Sequence, residues 1–493
     1  EFQLTGDAWT EDNDGSRANL TITQNTTIDL NGHTLTISKS NQYFDVYEGA
    51  KLTIMDSSNS IQDTESTVTG NVYGNKATLE NDTLTYYITT STPTGTGTTE
   101  TLVKHTVPLT GVGKILCQGT SDQGTSEQLI KVQNGGKLVL ESGVLQNTGG
   151  KHVVYVDGGK VNNENGEAVD KETLTMTGGY IVGGGRNGDP GGGIYVQSGK
   201  VNIQGGVVAA NRGNSGGGIF VRSGTLNISG GAVTGNEVIT GHTDNGGGIY
   251  VDSGGTLNLS GEGYVTNNSK SCECATCKED ADNTHGGGGI AMANHTTLNM
   301  TGGYVTGNYS SLAGGGIYAG FYEGDGGVHF TMSGGTIASN CAKYGEGGGL
   351  RIGGGTNGVI DVTGQTTEQA NGKVYITNNQ TLTEDDWGGG GIFVQTGGSL
   401  DITNSLITGN SARGYGGGVA ACPTGETLIT HTEGAAIYGN SDKGEKMSDG
   451  GNDKNDDSTV AKVNETFRLN GHQDYFCVRK GGSSPISLVT GEM

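Results

Sequence analysis

The sequence predicts an all-β chain folded as a right-handed parallel β-helix, and three observations lead there. First, 95 of 493 residues are Gly and only 5 are Pro. Gly costs about 1 kcal/mol per helix position relative to Ala, which argues against helical and doubly wound domains. Second, a three-part unit recurs: Gly-Gly-Gly-Ile-Phe-Val at 216–221, Thr-Leu-Asn-Ile-Ser-Gly at 225–230 and Ala-Val-Thr-Gly-Asn at 232–236. Third, each part alternates inward and outward residues with period 2, as a strand does. Collagen is excluded because Gly has no strict three-residue period and Pro is scarce. Disorder fits badly, since Val, Ile, Leu and Tyr recur at regular spacing.

The first part returns at 191–196, 246–251, 287–292, 314–319, 347–352, 389–394 and 416–421, with a degenerate copy at Val154–Val156. The second returns around Leu174, Val201, Leu257, Leu298, Phe330, Ile360 and Leu400. The third ends in Asn at 147, 211, 236, 268, 308, 340, 379, 410 and 440. One unit of about 25 to 42 residues cannot bury its apolar face alone, whereas stacked copies share a core. Three strands per coil are expected, with one Asn per coil hydrogen-bonding its neighbours from a left-handed bend. The right hand follows the crossover preference.

Around this stack, residues 1–56 read as an N-terminal cap and first coil, carried by Leu20–Ile22, Thr27–Leu30 and Gly32–Ile37. Residues 57–128 break the repeat and read as a Thr-rich β-hairpin insertion projecting from the helix. Residues 129–440 are the main β-helix, and 441–493 a charged loop and C-terminal cap covering unpaired edges.

Gly-Gly-Gly-Ile-Tyr/Phe followed by Val/Ile-Thr-Gly-Asn resembles the repeats of β-helical bacterial surface proteins. These are the pectin-lyase-like superfamily and the polymorphic outer-membrane-protein repeats, and the resemblance covers roughly residues 130 to 440. It implies the architecture, and an extracellular protein, secreted or displayed on a bacterial surface. A weaker similarity to the β-helical lacto-N-biosidases implies an acidic pair on a groove, with none of their residues mapping onto this chain. No Lys/Arg pair beside a Ca²⁺ nest speaks for a pectate-lyase mechanism.

Asp+Glu (51) outnumber Lys+Arg (28), giving a net charge of −23. This argues against nucleic acid and anionic membranes as partners, and no run of about 20 apolar residues suits a bilayer. The sequons at Asn227 and Asn299 fall on repeat positions and are read as ladder amides rather than glycan sites. Seven Cys cannot all pair. Cys272, Cys274 and Cys277, followed by His285, offer three thiolates and an imidazole to a structural Zn²⁺. The competing reading is a local disulfide with one spare thiol.

With Ile219 and Val221 inward, alternation predicts an outward column of Tyr155, Tyr195, Phe220, Tyr250, Ala291, Tyr318, Arg351, Phe393 and Ala420. A second column is expected from Asp157, Gln197, Arg222, Asp252, Ala293, Gly320, Gly353, Gln395 and Cys422. Exposed aromatics in a row suit the C–H faces of sugars, and they suit stacking on one another equally. The loops leading into the first strands vary in length and carry Arg186, Asp189, Arg212, His242, Asp244, His285, Glu346, Glu384, Asp385, Asp386, Trp387 and Arg413.

The expected partner is an oligosaccharide or glycoprotein glycan on Tyr195, Phe220, Arg222, Tyr250, Tyr318 and Trp387. Asp244 with Asp252 is the expected acid pair of a glycoside hydrolase acting on host or plant oligosaccharides, with Asp385 and Asp386 the alternative. The Glu384–Asp386 cluster equally suits a structural Ca²⁺. No cofactor is required. The rival reading is a non-enzymatic adhesin, glycan-binding protein or stalk.

Overall fold

The structure is a computed structural model. It describes the chain except residues 10–18, 38–42, 95, 118–127, 149, 186–188, 239–244, 253, 273–284, 322–325, 361–373, 384–387, 404, 423–425, 431–435, 443–472, 478–486 and 489–493. The described residues are all-β, without a helix, and most strands lie in long parallel sheets compatible with a parallel β-helix.

First strands form one 13-stranded sheet, each paired in parallel with its counterpart one repeat later. Ile194–Ser198 thus pairs with Ile219–Val221, that with Ile249–Val251, and that with Ile290–Met292. Second and third strands follow the same rule; Thr225–Ile228 pairs with Thr256–Leu259, and Ala232–Thr234 with Tyr264–Thr266. The inward residues are those alternation requires. Ile219, Val221, Leu226, Ile228 and Val233 are wholly buried and join one core running through the stack.

The expected three strands per repeat are corrected to four segments. After the third strand's Asn comes a two-residue strand, as in Arg212–Gly213 and Glu237–Val238, and these form a seven-stranded sheet. Two residues are too few for alternation to register.

That Asn is the hinge of the repeat. Asn211, Asn236, Asn268, Asn308, Asn340, Asn379 and Asn410 each donate backbone N–H and Nδ2–H to Oδ1 of the next Asn, at 2.9–3.1 Å. The second Nδ2 hydrogen goes to a third-strand carbonyl of the preceding repeat, from Asn308 to Val265 at 2.9 Å. These buried amides are fully satisfied, as buried polar groups must be. The ladder ends at Asp474, whose Oδ1 accepts the backbone N–H and one Nδ2–H of Asn440. A terminal position needs an acceptor and no donor, and a carboxylate is that.

Two expectations about this ladder are corrected. The left-handed residue is not the Asn but the one before it: Ala210, Asn267, Ser339 and Asn378 have φ of 52–56°. Asn147 is not a rung, because Gln146 pairs with Val182 while Val182 pairs with Ala209, leaving Asn147 one residue out of register with Asn211. Its Nδ2 donates instead to the His152 carbonyl.

The Gly triplet follows from the ladder. A Cβ on Gly289 would lie 2.8 Å from Asn308 Nδ2, and one on Gly288 would lie 2.4 Å from the Gly315 carbonyl oxygen. The outer face of the second strand carries a shallower ladder, Asn299 to Asn258 to Asn227 to Asn202, with Nδ2–Oδ1 distances of 2.7–2.8 Å. Asn227 and Asn299 therefore have the rung role expected of them.

The insertion is a hairpin of Thr83–Thr94 with Gly97–Pro108, in a four-stranded antiparallel sheet. It does not project. It lies along the third strands, because their outward residues are apolar at one end and Thr further on. Leu84, Tyr86, Val107 and Leu109 pack with Val144, Tyr180, Val182 and Val207 in a second core. Beyond them Thr89 N–H donates to Thr266 Oγ1, Thr306 Oγ1 donates to the Thr89 carbonyl, and Thr98 meets Thr377. Tyr438 closes the row on the Thr96 carbonyl.

Candidate functional site

The first-strand register places the aromatic column as alternation predicts. Tyr155 stands beside Tyr195, Tyr195 beside Phe220, Phe220 beside Tyr250, and after Ala291 come Tyr318, Arg351 and Phe393. Its predicted exposure is corrected. Tyr195 and Phe220 are at most 9% exposed, while Tyr318, Arg351 and Phe393 are wholly buried.

The cover is the Gly-rich lead of each repeat, which turns back over its own strand. A Cβ on Gly314 would sit 2.8 Å from that of Tyr318, and one on Gly389 would sit 2.8 Å from that of Phe393. The first Gly, with φ of 61° at Gly314, lets the backbone close on the ring below.

The rings are spent on one another. Tyr155 and Tyr195 stack at 5.2 Å between centroids, Tyr195 and Phe220 at 5.0 Å, and Phe220 tilts against Tyr250 at 5.5 Å. His152, which sequence reasoning passed over, extends the stack at 5.0 Å from Tyr195 and hydrogen-bonds the Gly191 carbonyl through Nδ1. Burial pushes its pKa down to about 4, so the ring is neutral at pH 7. Further along, the Arg351 guanidinium lies 4.6 Å over the Tyr318 ring and donates to the Gly320 carbonyl.

The second column holds from Arg222 to Cys422, with one slip. A bulge puts Ser198, not Gln197, opposite Asp157, and the Ser198 hydroxyl donates to that carboxylate at 2.6 Å. Gln197 accepts instead from the Tyr195 hydroxyl. Ala293, Gly320, Gly353, Gln395 and Cys422 are buried, so among the described residues of this column the face opens over Asp157, Gln197, Arg222 and Asp252, flanked by half-buried Tyr155 and Tyr250.

The Tyr195 hydroxyl at the guanidinium, with Asp252 and Tyr155 further off, holds the Arg222 pKa above its ordinary value. Burial, and then the Asp252 charge, pushes the Tyr250 hydroxyl up. Tyr155 moves the same way through burial and Asp157. At neutral pH the strip therefore offers protonated phenols and a fixed cation beside the side chains of Asp157 and Asp252. That set donates and accepts hydrogen bonds to hydroxyls and presents two ring edges.

Asp244, Asp385, Asp386, Trp387, Cys274 and Cys277 lie outside the described residues, as do Arg186, His242 and Glu384. Asp252 is half-buried on the open strip. Asp157 shares its column three repeats away, roughly 14 Å at the parallel-strand spacing. Carboxylates that cleave a glycosidic bond stand about 5–9.5 Å apart.

Of the thiol cluster, Cys272 packs on Leu312 and is disulfide-bonded. His285 turns Nδ1 to the Asn245 amide at 3.2 Å. Arg212 pairs with Glu237 at 2.8 Å, and Lys76 of the insertion meets the same carboxylate. Sequence reasoning also missed Asp63, Glu65 and His105, whose ligand atoms lie within 4.8 Å of one another. Some 40 residues separate the imidazole from the carboxylates, and only the strand register of the insertion could have joined them. No protein-family model, curated protein or solved structure matches this chain.

Proposed function

We propose that the chain is an extracellular glycan-binding rod, a right-handed parallel β-helix of the bacterial surface-protein kind that holds oligosaccharide without cutting it. The observation that carries this reading is the open strip itself. Exposed Arg222 stands among half-buried Tyr155, Tyr250, Asp157, Gln197 and Asp252, while both columns are closed from Ala291 and Ala293 onward. Backbone pairing on both sides of each strand fixes these groups, so little ordering entropy is lost when a ligand binds. The disulfide at Cys272 supports an oxidising compartment, and the charge of −23 supports a partner that is neither nucleic acid nor anionic lipid.

Glycoside hydrolysis is the second reading. Asp252 favours it, because it lies beside Tyr250 on the open strip, with Asp244 as its proposed partner. One experiment separates the two: a glycan panel incubated with wild type, Arg222→Ala, Tyr155→Ala and Asp252→Asn, scored for retention and for cleavage. The binding reading expects retention without cleavage, lost in Arg222→Ala and weakened by about 1–3 kcal/mol in Tyr155→Ala, as for ring stacking elsewhere. Cleavage abolished by Asp252→Asn would establish the hydrolase. A wild type that neither retains nor cleaves refutes both.

A further inference from the structure

We propose that Asp63, Glu65 and His105 form a binding site for one divalent first-row transition ion of the Zn²⁺ class, on the Thr-rich insertion. Glu65 and His105 stand directly opposite each other where Thr64–Val68 pairs with Gly97–Pro108. Asp63 is two residues before Glu65, so alternation directs it to the same face. His105 Nδ1 lies 3.0 Å from Asp63 Oδ2 and 3.8 Å from Glu65 Oε1. A tetrahedral Zn²⁺, with bonds of about 2.0–2.2 Å, spaces its ligand atoms about 3.4 Å apart. An ion enters by displacing the proton held between the imidazole and Asp63; both distances from His105 are within about 0.4 Å of that spacing, and the two carboxylates lie within 4.8 Å of each other.

The ligands are aimed before any ion arrives. The His105 ring is 7% exposed and stacks on Tyr86, with centroids 4.5 Å and planes 5° apart. The Tyr86 hydroxyl donates to Asp63 Oδ2 at 2.8 Å, the outer hydrogen bond that fixes a metal-binding carboxylate. Glu65 is 67% exposed and free to swing inward, and Asp63 opens to the same solvent, which leaves water for the fourth position.

Charge points the same way. Among the described residues the only ion-pair partner of either carboxylate is His105. The imidazole nitrogen disfavours Ca²⁺ and Mg²⁺, which take oxygen ligands, and the lack of a thiolate disfavours Cu⁺. Thr64–Val68 is the edge strand of its sheet and is almost wholly exposed, so a bound ion clips that edge to its neighbour.

The test uses the whole chain, stripped with chelator, then titrated with Zn²⁺ by calorimetry and with Co²⁺ by absorption. One equivalent is expected at micromolar ion, with no thiolate-to-cobalt band. His105→Gln and Asp63→Asn should each weaken it at least tenfold, and Cys274→Ser should leave it unchanged. Amides of Thr64–Val68 should exchange at least tenfold more slowly with Zn²⁺ in wild type alone. Affinity should fall as pH drops, because protons compete with the ion for its ligands. If His105→Gln misfolds, Glu65→Gln, exposed and outside both cores, must show the same tenfold loss. Absence of binding overturns the proposal. So does an equivalent that survives in all three variants, or one that disappears in Cys274→Ser.

Discussion

Replacing Asn308 with Ala is the sharpest probe of the buried ladder. The change removes four hydrogen bonds: two donated by Asn308 Nδ2, to Val265 O and Asn340 Oδ1, and two accepted by Oδ1 from Asn268. At about 1 kcal/mol net for each, the loss is about 4 kcal/mol, and it rises toward 6 if the Asn268 N–H and Val265 carbonyl stay dry. Asn258→Ala on the surface ladder breaks two bonds at a half-buried site; water can replace them there, so about 1 kcal/mol or less is expected. Urea unfolding of both variants gives the difference, and hydrogen exchange should localise the Asn308 effect to the repeats holding Asn268 and Asn340. A double-mutant cycle adds a second check. Gly289→Ala places a Cβ 2.8 Å from Asn308 Nδ2 and should cost less in the Asn308→Ala background than in wild type. Equal unfolding midpoints for Asn308→Ala and Asn258→Ala would refute the argument, since four buried bonds are lost in one and two half-buried bonds in the other.

Three further outcomes follow from the packing. As pH falls below 6.5 the unfolded chain protonates His152 while the folded ring, with its pKa pushed down to about 4, does not. Stability should therefore fall by up to on the order of 3 kcal/mol between those values. His152→Gln should flatten that slope in urea titrations, and an unchanged slope would exclude the mechanism. Thr306→Val deletes the hydroxyl that donates to the Thr89 carbonyl. It should cost about 1–3 kcal/mol and speed exchange of the Thr83–Thr94 amides, and protection equal to wild type would count against docking of the hairpin. Burial pushes the thiols of Cys117 and Cys422 up to about 11 and that of Cys341 up to about 12. All three should resist iodoacetamide in the native protein and react in urea; labelling of native protein at any of them would contradict the packing.

What the sequence disclosed was whatever alternation governs. Ile219 and Val221 point inward and Phe220 outward because neighbours on a strand face opposite ways, and one reading of the register serves every repeat. Alternation does not say what lies above the outward face. Tyr318 and Phe393 are covered because the Gly-rich lead of their own repeat doubles back over them, a fact of loop path rather than strand pattern. The amide ladder was legible from a recurring Asn, but Asn147 shows the limit. It follows directly on Gln146, which pairs through Val182 with Ala209, so it falls opposite Ala210 rather than Asn211 without any change in the local motif. Docking of the hairpin escaped notice because Thr89 meets Thr266 and Thr306 across some 180 to 220 residues of chain. No periodicity encodes a contact at that range.

That docked hairpin has a consequence for length. A chain of like repeats with self-contained rungs can gain or lose a unit by simple duplication or deletion, since each new Asn finds the same donors and acceptors as the last. The third strands under the hairpin advance by eight parallel pairings, from Tyr180–Val182 to Ala436–Tyr438. At about 4.8 Å each this comes to roughly 38 Å. The ten steps from Tyr86 to Thr96 at about 3.4 Å cover roughly 34 Å, and with the reach of the tyrosine side chains these residues meet Tyr180 and Tyr438 at the two ends. One repeat more or fewer between those tyrosines moves the far contact by the width of a strand, and the Thr hydroxyls between them fall out of step. The insertion is thus a gauge: it fixes the number of repeats beneath it, and only outside its span is the protein free to change length.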